Sequence, residues 1–176
     1  KPGLSIKTIA SSALPETPWN IFKVSSDLYA IGSQSSTMFL RVGESLEEDA
    51  NPPFSTNTPY LAFSELADNG GLLAVSPTGW RQVGGKTDIE FEGSIVYACA
   101  NSRQLAVILS DSQLLYFELS SGQMRQVTSV KFPSNATCMA FAPIPGGRQR
   151  SRFLMIGGED SIVRLLSCDP SDRMSQ

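Results

Sequence analysis

The feature that most constrains the fold of this chain is a strand-turn-strand unit that recurs along the sequence. The units begin at Leu28, Leu72, Leu105 and Phe153, so their starts are 44, 33 and 48 residues apart. A further apolar segment precedes each unit, and these segments read NIFKV, YLAFSEL, IVYACA and TCMAFA. A period of about 40–45 residues with four short strands per repeat is typical of the blades of a β-propeller. The spacing therefore predicts consecutive propeller blades.

The remaining pattern also favours an all-β chain. Short apolar runs are bounded by Gly, Pro, Ser, Asn or Asp, and no run of helical length keeps an apolar period of about 3.6 residues. DIEFEG and MRQVTSV predict the fourth strands of two blades. LAVIL and IVYACA are almost continuously apolar, which predicts that neighbouring blades cover both of their faces. MRQVTSV alternates between apolar and polar residues, which predicts one-sided burial.

Three to four blades of four-stranded antiparallel sheets form an incomplete propeller. We expect a linker over residues 1–18, the blades over 19–172 and a tail over 173–176. A closed ring usually needs four to eight blades, so an open arc leaves two apolar blade faces unpaired. We expect sequence outside this chain, or a partner, to complete the ring. A two-sheet sandwich is the alternative fold, but it does not explain the spacing.

Composition excludes several classes of function. The chain contains no histidine, which removes Ser-His and Cys-His dyads and every zinc site that uses histidine. A net charge of −3 and a pI near 5.0 argue against a broad surface for nucleic acid. No apolar run approaches the length of a membrane span, and the first residues lack a signal-peptide core. We expect no catalytic residue, metal, cofactor, small-molecule substrate or membrane contact.

Cysteine spacing and one sequon carry weaker expectations. Cys99, Cys138 and Cys168 are odd in number and far apart, with no C-x-x-C pair. They are expected to be buried thiols and not disulfides. Asn135-Ala136-Thr137 matches the glycosylation sequon, but this pattern is common by chance and we expect it to be unmodified.

The loop PGGRQRSR contains the candidate interaction residues. Arg148, Arg150 and Arg152 stand at alternate positions as the loop enters a strand, so their side chains could share one side. One interpretation is a docking patch for an acidic partner or for the RNA backbone, because a guanidinium group meets a carboxylate or phosphate through two hydrogen bonds. The other interpretation is that the arginines fasten the loop through its carbonyl groups and neighbouring acids.

Other polar and aromatic groups favour structural roles. The acidic stretch GESLEEDANPPF could bind a hard cation, but it lacks the D-x-D-x-D-G calcium pattern and is expected to be a solvated connection. Gly157-Gly158-Glu159-Asp160 is expected to be a turn, and so are Pro77-Thr78-Gly79 and Ser121-Gly122. Trp80 beside Arg81 is the nearest approach to a base-stacking platform, and core packing is expected there.

Several segments resemble one known family, and they lack the W-D and G-H signatures of WD40 repeats. The resemblance is to the large triple-propeller subunit of splicing factor 3b, and it runs from about Trp19 to Asp172. It is carried by LLYFELSSGQMRQV, by PGGRQRSRFLMIGGEDSIVRLLSCDPSD and by VGESLEEDANPPFSTNTPYLAFSELADNGGLLAVSPTGWRQV. GESLEE looks shared with the large subunits of the damaged-DNA-binding complex and of the cleavage and polyadenylation specificity factor. QRSRFL and DPSD point to the splicing member.

The resemblance implies a segment of the family's middle propeller, acting as a non-enzymatic scaffold. It implies a nuclear location in the U2 small nuclear ribonucleoprotein and a role in splicing of pre-mRNA. The implied partners are the other splicing factor 3b subunits and the remaining blades of the same propeller. Direct RNA binding through the arginine loop is the alternative, and a glycosidase-like propeller enzyme is disfavoured because no pair of strand-end acids is evident. The loops at 33–36 and 69–71 depart from the family, so no contact is transferred there.

Overall fold

The structure is a computed structural model that describes residues 10–67, 71–83, 89–91, 93–169 and 171–172. These residues form fifteen β-strands and no helix, so the predicted all-β class is confirmed. The described part of the chain accordingly offers no helix able to cross a bilayer. Two compact units divide the chain, residues 1–59 and 60–176. The predicted tail at 173–176 and the first nine residues of the predicted linker lie outside the described residues.

The first unit contains one antiparallel sheet with the strand order β1-β2-β3-β4. Its register sets Phe22, Ala30 and Phe39 side by side on one face, where Ala30 and Phe39 are buried. Ile21, on the opposite face, is 68% exposed. This sheet therefore has one buried face and one partly uncovered face. The strands are β1 Asn20–Lys23, β2 Leu28–Gly32, β3 Thr37–Val42 and β4 Leu46–Glu48.

The second unit contains three antiparallel sheets, with the orders β5-β6-β7-β8, β12-β11-β10-β9 and β13-β14-β15. Each predicted strand-turn-strand unit forms the second and third strands of one sheet, so the predicted blade pattern is confirmed. The strands are β5 Ala62–Glu65, β6 Leu72–Ser76, β7 Gly79–Val83, β8 Ile89–Glu90, β9 Ile95–Ala100, β10 Gln104–Leu109, β11 Gln113–Ser120, β12 Gln123–Lys131, β13 Ala136–Phe141, β14 Phe153–Gly158 and β15 Val163–Ser167.

The middle sheet of this unit, β9 to β12, is covered on both faces by two hydrophobic clusters. Leu105 and Val107 of β10 pack in the first cluster, with residues of β5 to β8. Ala106 and Ile108 pack in the second cluster, with residues of β13 to β15. Because successive side chains of a strand point to opposite faces, both sets must be apolar when both faces are covered. The prediction of two-sided burial is confirmed for LAVIL.

The same prediction is confirmed only in part for IVYACA, whose alternate residues pack against the two clusters without full burial. Ile95 is buried, but Val96 is 42% exposed and the residues that follow are half-buried. The reason is position, because β9 is an edge strand of its sheet and hydrogen-bonds only to β10. Its neighbours on the other side are β5 and β13, the corresponding edge strands of the adjacent sheets. The apolar run therefore predicted the strand correctly, but it did not predict how much of the strand is buried.

Strand β12 departs from the predicted alternation through a β-bulge. Tyr116 pairs with Thr128 and Phe117 with Gln126, which leaves Val127 without a partner in the register and 41% exposed. A bulge inserts one extra residue and so changes which side chains share a face. Met124 consequently packs in the first cluster, whereas Val130 packs against the second. The strand contributes to both clusters, which the simple alternation did not predict.

Turns form at Pro77-Thr78, at Ser121-Gly122 and at Glu159-Asp160. The predicted turn residues Gly79, Gly157 and Gly158 lie instead in the flanking strands β7 and β14. The two-residue connection between β11 and β12 has positive φ at both positions, 54° at Ser121 and 75° at Gly122. Two residues of positive φ match the twist of adjacent antiparallel strands, and glycine adopts this conformation without steric cost. The glycine is therefore explained by the backbone geometry of the hairpin.

All three cysteines are free, as predicted, but they differ in exposure. Cys168 is buried, and its burial raises the pKa of the thiol to about 12. Burial likewise raises the pKa of Cys99, which is half-buried against the second cluster. Cys138 is exposed, so the prediction of a buried thiol is wrong there. It lies opposite Gly157 on the face of β13-β14-β15 that turns away from the second cluster.

The last sheet has three strands in the described residues and carries an uncovered apolar face. Met155 lies between Ala140 and Leu165 in the register, and Val163 lies two residues before Leu165 on β15. The exposed fractions of Met155, Leu165 and Val163 are 38%, 51% and 73%. We call Ala140, Met155, Val163 and Leu165 the open face. An open arc of blades is expected to end in such a face.

Replacement of Ile156 by Ala tests the register of the last sheet. Ile156 is fully buried in the second cluster, so loss of its side chain should lower the free energy of unfolding by about 2–4 kcal/mol. Met155→Ala is the matched control on the same strand, and it should cost less than about 1 kcal/mol because Met155 is already partly exposed. Urea denaturation measures both values. Equal losses would contradict the assigned faces.

Candidate interaction surface

The arginine residues predicted as an interaction patch all lie in the loop that joins β13 to β14. The loop reverses at Gly146-Gly147, where the N–H of Arg148 donates to the carbonyl oxygen of Pro145 over 3.0 Å. Gly147 has a φ of 75°, a conformation that favours glycine. The sequence Pro-Gly-Gly therefore sets the tight reversal that precedes Arg148. Arg152 follows four residues later and directly precedes β14.

A buried glutamine fastens this loop to the middle sheet. Gln104 has no exposed surface. Its side-chain oxygen accepts the N–H of Ser151 at 2.6 Å, and its Nε2 donates to the carbonyl oxygen of the same residue at 3.1 Å. This side chain thus pairs with both backbone groups of Ser151, as a neighbouring strand would. Because Ser151 lies between Arg150 and Arg152, the amide fixes the backbone from which both arginines project.

Two further hydrogen bonds connect the side-chain amide of Gln104 to neighbouring polar side chains. Its Nε2 also donates to the hydroxyl of Tyr116 at 2.7 Å, and Asn101 donates from Nδ2 to Oε1 of Gln104 at 2.9 Å. Among the described residues, no buried side-chain nitrogen or oxygen lacks a partner. A buried amide is stabilising only when its partners are all present. Sequence reasoning missed this glutamine, although a lone amide beside the apolar run LAVIL was a usable signal.

Arg150 is engaged by an acid of the middle sheet. Its Nη1 lies 2.8 and 2.9 Å from the two carboxylate oxygens of Glu118. The hydroxyl of Tyr116 donates to Oε1 of Glu118 at 2.7 Å, which ties this carboxylate to the network of Gln104. Burial, and then the nearby carboxylate of Glu118, raise the pKa of Tyr116, so the phenol stays protonated and can donate. Of the two interpretations of the arginine loop, the one in which an arginine fastens the loop to a neighbouring acid therefore applies to Arg150.

Arg148 and Arg152 are placed differently. Both are exposed, and within the described part of the chain neither guanidinium group has an ion-pair partner. Arg152 lies over the ring of Phe153, with 5.5 Å between its guanidinium carbon and the ring centroid. Hydrogen bonds from Ser171, and then the positive charges of Arg150 and Arg152, lower the pKa of Asp169. The loop therefore presents two guanidinium groups to solvent beside one that is held.

Two adjacent clefts lie along these residues. The larger has a volume of about 330 Å³ and is lined by Arg103, Glu118, Leu119, Arg148, Gln149 and Arg150. The smaller has a volume of about 150 Å³ and is lined by Arg148, Arg150, Ser151, Arg152, Phe153, Ser167, Cys168, Asp169 and Asp172. Arg148 and Arg150 line both clefts. The structure thus brings all three predicted arginines to one surface. We call this surface, with both of its clefts, the arginine cleft.

The other candidate groups have structural surroundings. Asp49 of the acidic stretch accepts a hydrogen bond of 3.3 Å from Arg41, which also donates to Asp27 at 2.8 Å. Asp160 forms an ion pair of 2.6 Å with Arg164, which lowers the pKa of this carboxyl group. No group of three or more potential metal ligands occurs among the residues that the structure describes. Predicted core packing of Trp80 is confirmed, because its ring lies 4.6 Å from that of Phe117 in the first cluster.

Replacement of Gln104 by Leu tests the role of the buried amide. The variant keeps the size of the side chain but leaves the N–H and carbonyl of Ser151 without partners, so the free energy of unfolding should fall by about 2–4 kcal/mol. Amide hydrogen exchange at Ser151 should accelerate as well. Gln126→Leu, at an exposed position of β12, is the control and should change stability by less than about 0.5 kcal/mol. Unchanged exchange at Ser151 would contradict the assigned role.

Comparisons with known proteins agree with this architecture. Among solved structures, the crystal structure of the computationally designed Ika4 protein matches 94% of this chain and 100% of its own chain, with a TM-score of 0.59 and 12% identity. That likeness concerns the fold alone. Spliceosome-associated protein 130 A of Arabidopsis thaliana is 36% identical over 98% of this chain. Splicing factor 3B subunit 3 of Danio rerio is 35% identical over 97%, and pre-mRNA-splicing factor RSE1 of Pyricularia oryzae is 33% identical over 99%.

The chain spans 15% of the length of each of these relatives. A sequence model described as the RSE1/DDB1/CPSF1 second β-propeller matches residues 6–176. The match covers all four sheets, and it confirms the resemblance that the segments of the sequence indicated. By this match and by its identity to the relatives, the chain belongs to the RSE1/DDB1/CPSF1 second β-propeller family.

Proposed function

We propose that this chain is a non-enzymatic scaffold segment of the splicing factor 3b complex in the U2 small nuclear ribonucleoprotein. It acts in splicing of pre-mRNA, in the nucleus, through contacts with other proteins. The names of its relatives, which are splicing factors and a spliceosome-associated protein, support the assignment. The observation that carries it is the open face of the last sheet, because an uncovered apolar surface on a rigid sheet is suited to assembly.

The open face has the composition of a surface that another sheet covers. Leu154, Ile156 and Leu166 point into the second cluster, and the open-face residues of the same two strands are apolar too. A strand that faces solvent on one side would normally carry polar residues there. Two apolar faces are found in the middle sheet of this unit, where both are covered. The last sheet is thus built for a neighbour on each side.

The outer edge of β15 is a second feature that supports a neighbouring part of the propeller. In the described residues β15 hydrogen-bonds to β14 alone, whereas the other sheets each contain four strands. We assign the remaining blades of the same propeller as the occupant of the open face and of this edge. The relatives are several times longer than this chain, which spans 15% of their length, so they contain sequence that could supply these blades. The other splicing factor 3b subunits are the further partners.

Direct binding of nucleic acid is a second candidate, favoured by the exposed guanidinium groups of Arg148 and Arg152. Arginine side chains donate to phosphate oxygens, and such contacts would make binding steeply dependent on salt. Against this function stand the pI near 5.0 and the carboxylates of Glu118 and Asp169 beside the same clefts. The scaffold function therefore explains more of the observed surface.

The variant Val163→Glu with Leu165→Glu tests the scaffold function. Native mass spectrometry would measure association of the chain with the rest of its subunit and with the other splicing factor 3b subunits. We expect stoichiometric association of the unaltered chain and its loss in this variant, because two buried charges would face an apolar partner. Val127→Glu with Ser129→Glu, at exposed positions of β12, is the control and should associate normally.

Circular dichroism would first show that both variants remain folded. A folded, unaltered chain that ignores the assembly would overturn the scaffold function. Salt-sensitive uptake of RNA by that chain would then favour the second candidate. Normal association of the Val163→Glu, Leu165→Glu variant would instead contradict the role of the open face.

A further inference from the structure

We propose that Arg148 and Arg152 form a docking surface for an acidic peptide segment of a partner protein. The inference rests on the proposed scaffold function and assigns partner chemistry to the arginine cleft. Its occupant is a stretch of chain that offers carboxylates from Asp or Glu side chains. Each of the two arginines would meet one carboxylate, and Arg150 would stay bound to Glu118.

The first argument is that the two outer arginines are available while the middle one is not. Arg150 contacts both oxygens of Glu118 within 2.9 Å, so its charge is already matched. Arg148 and Arg152 are exposed on either side of it, and neither is ion-paired in the described part of the chain. Both line the smaller cleft, which Arg150 also lines. The surface thus retains two guanidinium groups that form no ion pair with the described residues.

The second argument is that the acids nearby have hydrogen-bond donors of their own. The hydroxyl of Ser167 donates to Asp172 at 2.7 Å, and the hydroxyl of Ser171 donates to Asp169 at 2.8 Å. Glu118 accepts from Tyr116 as well as from Arg150. These bonds hold the carboxylates on the walls of the clefts. None of them supplies a direct ion pair to Arg148 or Arg152 among the described residues.

The third argument is that the backbone beneath the arginines is held in place. Gln104 pairs with both backbone groups of Ser151, and its own surroundings are buried. The ring of Phe153 supports the guanidinium group of Arg152 at 5.5 Å, a contact that limits its rotation. A surface that is ordered before binding loses less conformational entropy on association. This order favours specific recognition over diffuse attraction.

Carboxylates fit this surface better than a nucleic acid does. A nucleic-acid strand brings a phosphate at every nucleotide, and the wall carboxylates Glu118, Asp169 and Asp172 would repel such a continuous charge. A peptide can place single carboxylates at the arginines and polar N–H groups near the wall acids. Single-stranded binding also uses exposed aromatic rings for stacking, but Phe153 is half-buried beneath Arg152.

The test is fluorescence anisotropy of the purified chain with a labelled Gly-Ser peptide that carries two Glu residues. The same peptide with Gln in place of both Glu residues controls for backbone contacts, and a labelled oligouridylate of similar charge is the nucleic-acid probe. We expect binding of the Glu peptide and no comparable binding of the other two probes. Tighter binding of the oligouridylate than of the Glu peptide would overturn the proposal.

Three variants locate the binding site. Arg148→Ala with Arg152→Ala should weaken binding of the Glu peptide about tenfold, because two exposed charge pairs are lost. Arg148→Lys with Arg152→Lys keeps the charge but removes the planar fork, and it should weaken binding by a smaller factor. Lys23→Ala with Lys131→Ala removes two exposed positive charges elsewhere and should leave affinity unchanged. Equal weakening by the two alanine pairs would overturn the proposal.

Association with the splicing factor 3b subunits, measured on the same variants by native mass spectrometry, separates this inference from the scaffold function. A chain that joins the assembly but does not bind the Glu peptide would overturn the docking surface and leave the scaffold function intact. A chain that binds the peptide through Arg148 and Arg152 but does not join the assembly would support the surface chemistry and overturn the scaffold function.

Discussion

The constraint on which this structure depends is that successive side chains of a strand lie on opposite faces of its sheet. In β10 both sets are apolar, so the sheet is stable only with a hydrophobic neighbour on each side. Burying one large aliphatic side chain contributes about 1.5–3 kcal/mol, and several are buried on each face of this sheet. Each covering sheet then has an outer face of its own. Stacking therefore continues until a face becomes polar or the arc closes into a ring.

One polar residue among these apolar strands connects the core to the arginine cleft. Gln104 stands at the start of β10, and burial of its amide would be unfavourable without partners. Ser151, Tyr116 and Asn101 supply those partners. The requirement to satisfy a buried amide thus fixes a loop that is remote in sequence. The position of the arginines is in this sense a consequence of core packing.

Much of the fold was predictable from the sequence because repeat spacing and strand polarity report local requirements. Period, turn residues and apolar runs located all four sheets, and the continuous run in β10 predicted its two covered faces. The bulge at Val127 was not predictable, because nothing in MRQVTSV marks an extra residue until the partner strand sets the register. Burial of β9 and of Cys138 was overestimated for a related reason. Exposure at an edge strand or an outer face depends on which neighbour is present, and polarity alone does not report it.

The candidate site was predictable in its residues but not in their division of roles. Alternate arginines in a loop indicated a shared surface, and the structure does place all three on the smaller cleft. Arg150 is the arginine that forms an ion pair here, because it meets Glu118. Glu118 lies 32 residues earlier in the chain and approaches Arg150 only through the packing of two sheets. Pairings of this kind follow from tertiary register, which local sequence does not contain. The glutamine beside the apolar run was the one local signal for the strand to which the loop is hydrogen-bonded.

The apolar and the charged surfaces of the last sheet meet at Phe153. This residue lies two positions before Met155 on β14, so both point to the open face, and Arg152 covers its ring. Apolar contact is non-directional and contributes most of the affinity of an interface. Charged pairs at its margin contribute mainly to orientation and partner choice, because a misplaced like charge is unfavourable. An apolar face bordered by arginines can therefore combine strong attachment with a defined register.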